Sequence, residues 1–156
     1  MFERFTPFGK RVIARAGEEA GQLQNASVDT RHLLIALVAE ERSLMSEPSI
    51  AARVLTEAGL TYHGVRELEL PDIEGSPRSR QLSVFTDQFK KILWDSFMNE
   101  LDAKRETIAP EHLLVSLLQQ RSCLAIDVLG TYNLNPGGLR ATTLALIDQA
   151  DAERAA

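Results

Sequence analysis

Residues 5–38 of this 156-residue chain reappear without a gap as residues 85–118. Phe5 and Thr6 return as Phe85 and Thr86, Lys10 as Lys90, and His32, Leu33 and Leu34 as His112, Leu113 and Leu114. Beyond residue 50 the pairing resumes at a shorter shift: Val54 and Leu55 match Val128 and Leu129, and Gly64, Val65 and Arg66 match Gly138, Leu139 and Arg140. Self-similarity of this kind marks one supersecondary unit used twice. The shift falls from 80 to 74, so the first copy carries six extra residues, placed by the pattern in the loop Arg42–Ser49.

The unit is helical. Phe5, Phe8, Val12, Ala16, Ala20 and Leu23 form one apolar stripe at helical spacing, and Thr6 with Pro7 makes a sound helix start. The copy starts at Thr86, with Phe89, Ile92, Leu93 and Ser96 or Phe97 on its stripe. The segments from His32 to Val38 and from His112 to Leu118 are apolar on nearly every side, which predicts two buried helices. Thr30 is placed to cap the first, and Pro110 opens the second. Third helices are expected over Ile50–Ala58, stopped by Gly59, and over Leu124–Tyr132; fourth helices start at Thr61 and at Asn135-Pro136. The expected fold is all-α: an eight-helix bundle of two tandem four-helix repeats about a pseudo-twofold axis. One domain spans 1–150, with repeat one at 5–70, a linker at 71–81, repeat two at 85–150, and a frayed tail at 151–156.

Function classes narrow by elimination. A net charge of −5 argues against nucleic acid as the main partner. No apolar run is long enough for a membrane span, no secretory signal opens the chain, and there is one cysteine, so the expected location is cytoplasmic. The sequence has no P-loop, no His-Glu-x-x-His, no Cys-x-x-Cys and no Gly-x-Ser-x-Gly elbow. No catalytic residue, metal site or cofactor is expected, and no enzyme. His32 and His112 recur in register. As a functional pair they would be metal ligands or an acid and a base; as structural residues each ring hydrogen-bonds backbone and orders its helix start. The second reading is preferred, because a catalytic site rarely occurs in both copies. Cys123 reads as a plain, partly buried thiol, His63 as exposed, and Glu18 and Glu19 as a solvated outer face.

Met1 to Thr6, the duplication, and the two segments Val28–Leu34 and Ile108–Leu114 closely resemble the N-terminal domain of Clp ATPases, particularly of the ClpC type. The resemblance runs from Phe2 to about Ile147. It implies an eight-helix domain that, on an ATP-driven unfoldase, receives substrates and adaptor proteins. The nucleotide-binding modules of such ATPases do not follow here, and a stand-alone protein is preferred over an excised domain. Arg31 stands at the family's glutamate position in the first motif and Pro110 at its threonine position in the second. The longer loop around Ser43–Ser49, with Met45 and Pro48, departs from the family's short connection.

Two sets of residues carry the implied binding. Some relatives read phosphorylated arginine. The matching positions are Glu111 for the guanidinium, with Thr6 and Thr86 as hydroxyls, while Arg31 would repel a guanidinium and leaves that site lost or converted to an anion site. For Glu111 a favourable charge in the first turn of its helix is the alternative; for the threonines it is plain capping. The second set is a hydrophobic groove for adaptors and cyclic peptides: Phe2, Lys10, Val12, Ile13, Phe85, Lys90, Leu93 and Trp94. Packing is preferred for Phe85, and partner contact for Phe2 and the two lysines. The implied function is a non-enzymatic protein- or peptide-binding accessory of the Clp protease system, meeting adaptors or tagged substrates. The alternative is a protein that sequesters cyclic-peptide antibiotics aimed at a parent Clp ATPase.

Overall fold

The computed structural model describes residues 2–40, 48–70 and 84–156. The linker expected at 71–81, and the expected insertion apart from Pro48 and Ser49, lie outside them. Among the described residues there are eight α-helices: α1 (Pro7–Gln22), α2 (Thr30–Ala39), α3 (Ile50–Glu57), α4 (Tyr62–Arg66), α5 (Asp87–Asp102), α6 (Pro110–Leu118), α7 (Leu124–Thr131) and α8 (Pro136–Ala155). A 3-10 turn at Phe2–Arg4 and two short strands, β1 (Ser27–Val28) and β2 (Val84–Phe85), are the other regular elements among the described residues. The all-α fold of two repeats is as the sequence indicates.

The first helix of each repeat starts on the expected threonine. The Thr6 hydroxyl accepts from Gly9 N–H at 3.0 Å and that of Thr86 from Phe89 N–H at 3.2 Å. Gly59 closes the turn after α3 at φ +102°, a conformation that glycine adopts without steric cost, and its counterpart Asn133 takes the same left-handed region at φ 56°. The other expected cap is different. Asp29, not Thr30, caps α2, because its carboxylate accepts from Arg31 N–H, two residues ahead, at 2.9 Å. Thr30, one residue further on, turns into the core instead. The tail expected to fray is helical to Ala155, with Asp151 held by Arg105 at 2.7 Å.

α2 and α6 are buried along their whole lengths, as their uniform apolarity demands. Each packs on the first helix of its own repeat, and each crosses to the other repeat: α2 onto α5 and α7, α6 onto α1 and α3, and the two onto one another. The backbone repeats this reciprocity. Phe5 forms a parallel bridge with Ile108, and Val28 pairs with Phe85; a shift of 80 residues converts one pair into the other. Thr6 N–H donates to Ile108 O at 2.9 Å, and Thr86 N–H donates to Val28 O at 3.0 Å. This is the expected pseudo-twofold relation. Gly9 is needed there: a side chain at that position would meet Ile108 O at 2.9 Å.

The stripe on α1 is rotated from the one expected. Gly9, Val12, Ile13, Ala16, Glu19 and Ala20 are its buried residues, while Phe8 is exposed under the Arg11 guanidinium, 5.1 Å from its ring centre. Glu19 is therefore not part of a solvated face but one of the most deeply buried carboxylates of the molecule, 2% exposed.

Candidate functional site

The two histidines do what structural residues do. Nδ1 of His32 accepts from Asp29 N–H and Nδ1 of His112 from Ala109 N–H, both at 2.9 Å, which tightens the first turns of α2 and α6. Since Nδ1 accepts, Nε2 carries the hydrogen. In His32 it meets Asn25 Oδ1 at 2.8 Å, and in His112 it faces the Glu100 carboxylate at 3.7 Å. Burial, and then the charge of Arg105, push the His112 pKa down to about 4, so its ring is neutral.

The four residues of the tag-reading set sit at helix starts, and three are engaged locally. Thr6 and Thr86 are caps, as described. Arg31 is only 6% exposed; its Nε lies 3.0 Å from Asp29 Oδ2, and a terminal nitrogen donates to Leu70 O at 3.3 Å. The Asp29 carboxylate neutralises this guanidinium and satisfies the helix cap at once. Asp29 itself is raised above the ordinary carboxylate range, because burial outweighs the Arg31 charge. Glu111, in the first turn of α6, is also buried. Desolvation raises its pKa, opposed by a backbone hydrogen bond and by the charge of Arg154.

The groove set divides in two. Val12, Ile13 and Leu93 lie in the core and offer no surface, because they fall on the inward stripes of α1 and α5. Phe85 is half-buried and stacks on Phe89 with ring centres 4.6 Å apart. Phe2, Lys10, Lys90 and Trp94 are exposed. A run of aromatic contacts links the repeats across this face. The Phe2 ring lies 5.8 Å from that of Phe5, the Arg4 guanidinium sits 5.6 Å from the Phe97 ring, and Phe97 lies 5.7 Å from Trp94. The face extends further than the groove set. Phe97, Met98 and Leu101 continue it along α5, with Trp94 55%, Met98 38% and Leu101 37% exposed. Their spacing of three, four and seven from Trp94 was the available signal: a second apolar stripe beside the core stripe of α5.

A third locus was missed altogether. In repeat one, Arg66 Nε lies 2.8 Å from Glu19 Oε2, the Tyr62 hydroxyl donates to the other oxygen, and Arg15 approaches at 3.7 Å. In repeat two the equivalent arginine, Arg140, faces a pocket of about 180 Å³ between α5, α6 and α8.

Comparison with known proteins agrees with this architecture. The family described as Clp repeat (R) N-terminal domain matches residues 4–74 and 84–155. The chain is 31% identical over 150 residues to the chloroplastic chaperone protein ClpC1 of Oryza sativa, covering 96% of this chain and 16% of that protein. It is 30% identical over 143 residues to the ATP-binding subunit ClpC of Staphylococcus epidermidis, covering 90% of this chain and 16% of that one. Among solved structures, the N-terminal domain of the chaperone ClpD from Arabidopsis thaliana superposes with a TM-score of 0.75 at 25% identity, covering 95% of this chain and 97% of that one. The Hsp104 N-terminal domain from Candida albicans shares the fold, with a TM-score of 0.66 at 15% identity over 91% and 90%. The chain belongs to the Clp repeat N-terminal domain family.

Proposed function

We propose that this Clp repeat domain is a non-enzymatic module that binds proteins or peptides of the Clp protease system, and that the face shared by α1, α5 and the Phe2–Arg4 turn receives them. One observation carries the reading. Phe2, Trp94, Met98 and Leu101 are exposed, and exposed lysines stand at 10 and 90 in the first turns of α1 and α5. Large apolar side chains gathered on a polar surface mark contact sites, and tryptophan is among the residues that dominate binding energy. An apolar patch flanked by cations suits an acidic adaptor or peptide with apolar anchors.

Immobilised wild-type protein, exposed to purified Clp adaptors and unfoldase substrates, should retain at least one of them. The Phe2→Ala, Trp94→Ala double variant should retain at least ~10-fold less, a loss of about 1.4 kcal/mol. Equal retention by both proteins rejects this face. A cyclic-peptide ligand on the same surface is the second reading, supported by the exposure of Phe2 and of the two lysines. It requires that Phe2→Ala alone abolish cyclic-peptide binding.

Tag reading is the finer form of the proposal. With the threonines serving as caps and Arg31 bound to Asp29, its support reduces to Glu111. Calorimetric titration with phosphoarginine, against arginine and phosphate and with Glu111→Ala in parallel, tests it. Saturation at one site, lost in the variant, sustains the reading, and a flat titration ends it.

A further inference from the structure

We propose that the pocket between α5, α6 and α8 is a carboxylate-binding site, with Arg140 as its anion receptor and an apolar wall for a short aliphatic substituent. The other half of the molecule holds the same site already filled. The shifts of 80 and 74 set Asn99 opposite Glu19, Ala103 opposite Leu23, and Arg140 opposite Arg66. Repeat one thus fills its site from within: the Glu19 carboxylate pairs with Arg66, and Leu23, one turn on, packs against the core. Repeat two keeps the arginine and loses both fillers. Asn99 has no charge, and its amide N–H groups donate to Ser116 Oγ at 3.2 Å and Gln119 Oε1 at 2.8 Å. Ala103 is shorter than leucine, and a cavity of about 180 Å³ stands open to solvent beside it.

The guanidinium left behind is unusual. Arg140 is half-buried, its Nε is out of contact with water, and no carboxylate or hydrogen-bond acceptor among the described residues meets that nitrogen. No ion pair and no hydrogen bond joins the Arg140 guanidinium to any described residue, so a carboxylate that enters the pocket it lines supplies its counter-charge. The other cation of the pocket, Arg105, is already committed, to Glu100 at 3.2 Å and to Asp151 at 2.7 Å. Arg105 serves two carboxylates, so it offsets part of the Glu100 charge. Val115, Leu144 and Ile147 supply the apolar wall. A cavity of about 150 Å³ accommodates benzene, so the substituent is a branched alkyl group or a small ring. A free short-chain acid or the C-terminus of a peptide ending in an aliphatic residue meets these requirements equally.

The test is side-chain NMR of the Arg140 Nε–H in the intact chain, titrated with 3-methylbutanoate and with its uncharged amide. The resonance should shift saturably with a Kd on the order of 1 mM, and the amide should bind at least ~10-fold more weakly. Asn99→Glu should abolish binding by supplying in cis the carboxylate that Glu19 supplies in repeat one. It should shift the Arg140 resonance without any ligand, and this readout does not depend on the fate of an Arg140→Gln variant. A valine-ended tetrapeptide with a free or amidated C-terminus distinguishes the sources. Tighter binding of the free-acid peptide assigns the site to chain termini, and tighter binding of 3-methylbutanoate assigns it to small acids. An Arg140 resonance unmoved by any carboxylate, an equal response to the amide, or undiminished binding by Asn99→Glu overturns the proposal. None of these outcomes depends on the α1–α5 face.

Discussion

The two repeats share a scaffold and differ at several positions where the scaffold meets a charge or solvent. Repeat one closes its α1–α4 junction with a buried carboxylate between arginines, whereas repeat two leaves the matching arginine facing a pocket. The outer stripe of α5 carries Trp94, Phe97, Met98 and Leu101, where α1 carries Ala14, Gly17, Glu18 and Gly21. Even the caps have been exchanged. Cys123 provides no side-chain cap for α7, and the Thr30 hydroxyl accepts from Ala125 N–H across the repeat boundary at 3.0 Å. Pro110, at the position of Thr30, has no hydroxyl to offer in return, and α3 is capped by its own Ser49 at 3.1 Å. A duplicated core tolerates this because α2 and α6 carry the packing for both halves. One half can then become self-contained while the other keeps open groups.

The largest effect comes from breaking the closed half. Glu19→Ala removes the buried carboxylate that pairs with Arg66 and accepts from the Tyr62 hydroxyl, and should cost about 4 kcal/mol in urea unfolding. Asn99→Ala, its counterpart, should cost about 1 kcal/mol. Similar losses at both positions would mean that the halves are not specialised in this way.

The next effect is one of pH. Folding holds His112 near pKa 4 against an ordinary value of 6.5. The unfolded chain therefore binds a proton that the folded one excludes, and stability present above about pH 6.5 drains away as the pH falls towards 4. Its limit is about 3 kcal/mol. The raised carboxyls of Asp29, Glu100 and Glu111 act in the opposite sense, since folding favours their protonated forms. The relevant measurement is therefore the difference between wild type and His112→Gln, whose urea midpoints should converge as the solution is acidified.

Smaller again is the cross-repeat cap. Thr30→Val keeps the shape but leaves Ala125 N–H buried without its acceptor, and should cost about 2 kcal/mol; Ser49→Ala, at a more accessible helix start, should cost about 1 kcal/mol. Equal costs would deny that the repeats depend on one another through this bond. Trp94→Ala should change stability by no more than about 0.5 kcal/mol, because its side chain is mostly in water. A larger loss would place Trp94 in the fold rather than on a binding face.

Periodicity was enough to find the helices. The fully apolar runs after His32 and His112 announced buried helices, and the matched starts at Thr6 and Thr86 announced first helices, because these signals act over one or two turns. Part of the α5 face was equally legible, as a second stripe starting at Trp94. Local reasoning failed where a partner distant along the chain decided the outcome. Glu19 looks solvated beside Glu18 until Tyr62 and Arg66, more than forty residues on, converge upon it. Thr30 looks like a cap until Ala125 claims its hydroxyl.

The sequence by itself determined the duplication, the helical class and the family, since repeats, helical spacing and motif register are written in the order of residues. Only the tertiary structure decided which charged groups are matched. The energy of burying a charge depends on what lies across the packed interface, and residue order does not state that. Arg66 and Arg140 occupy the same place in their repeats; the fold gives one a carboxylate and the other a pocket.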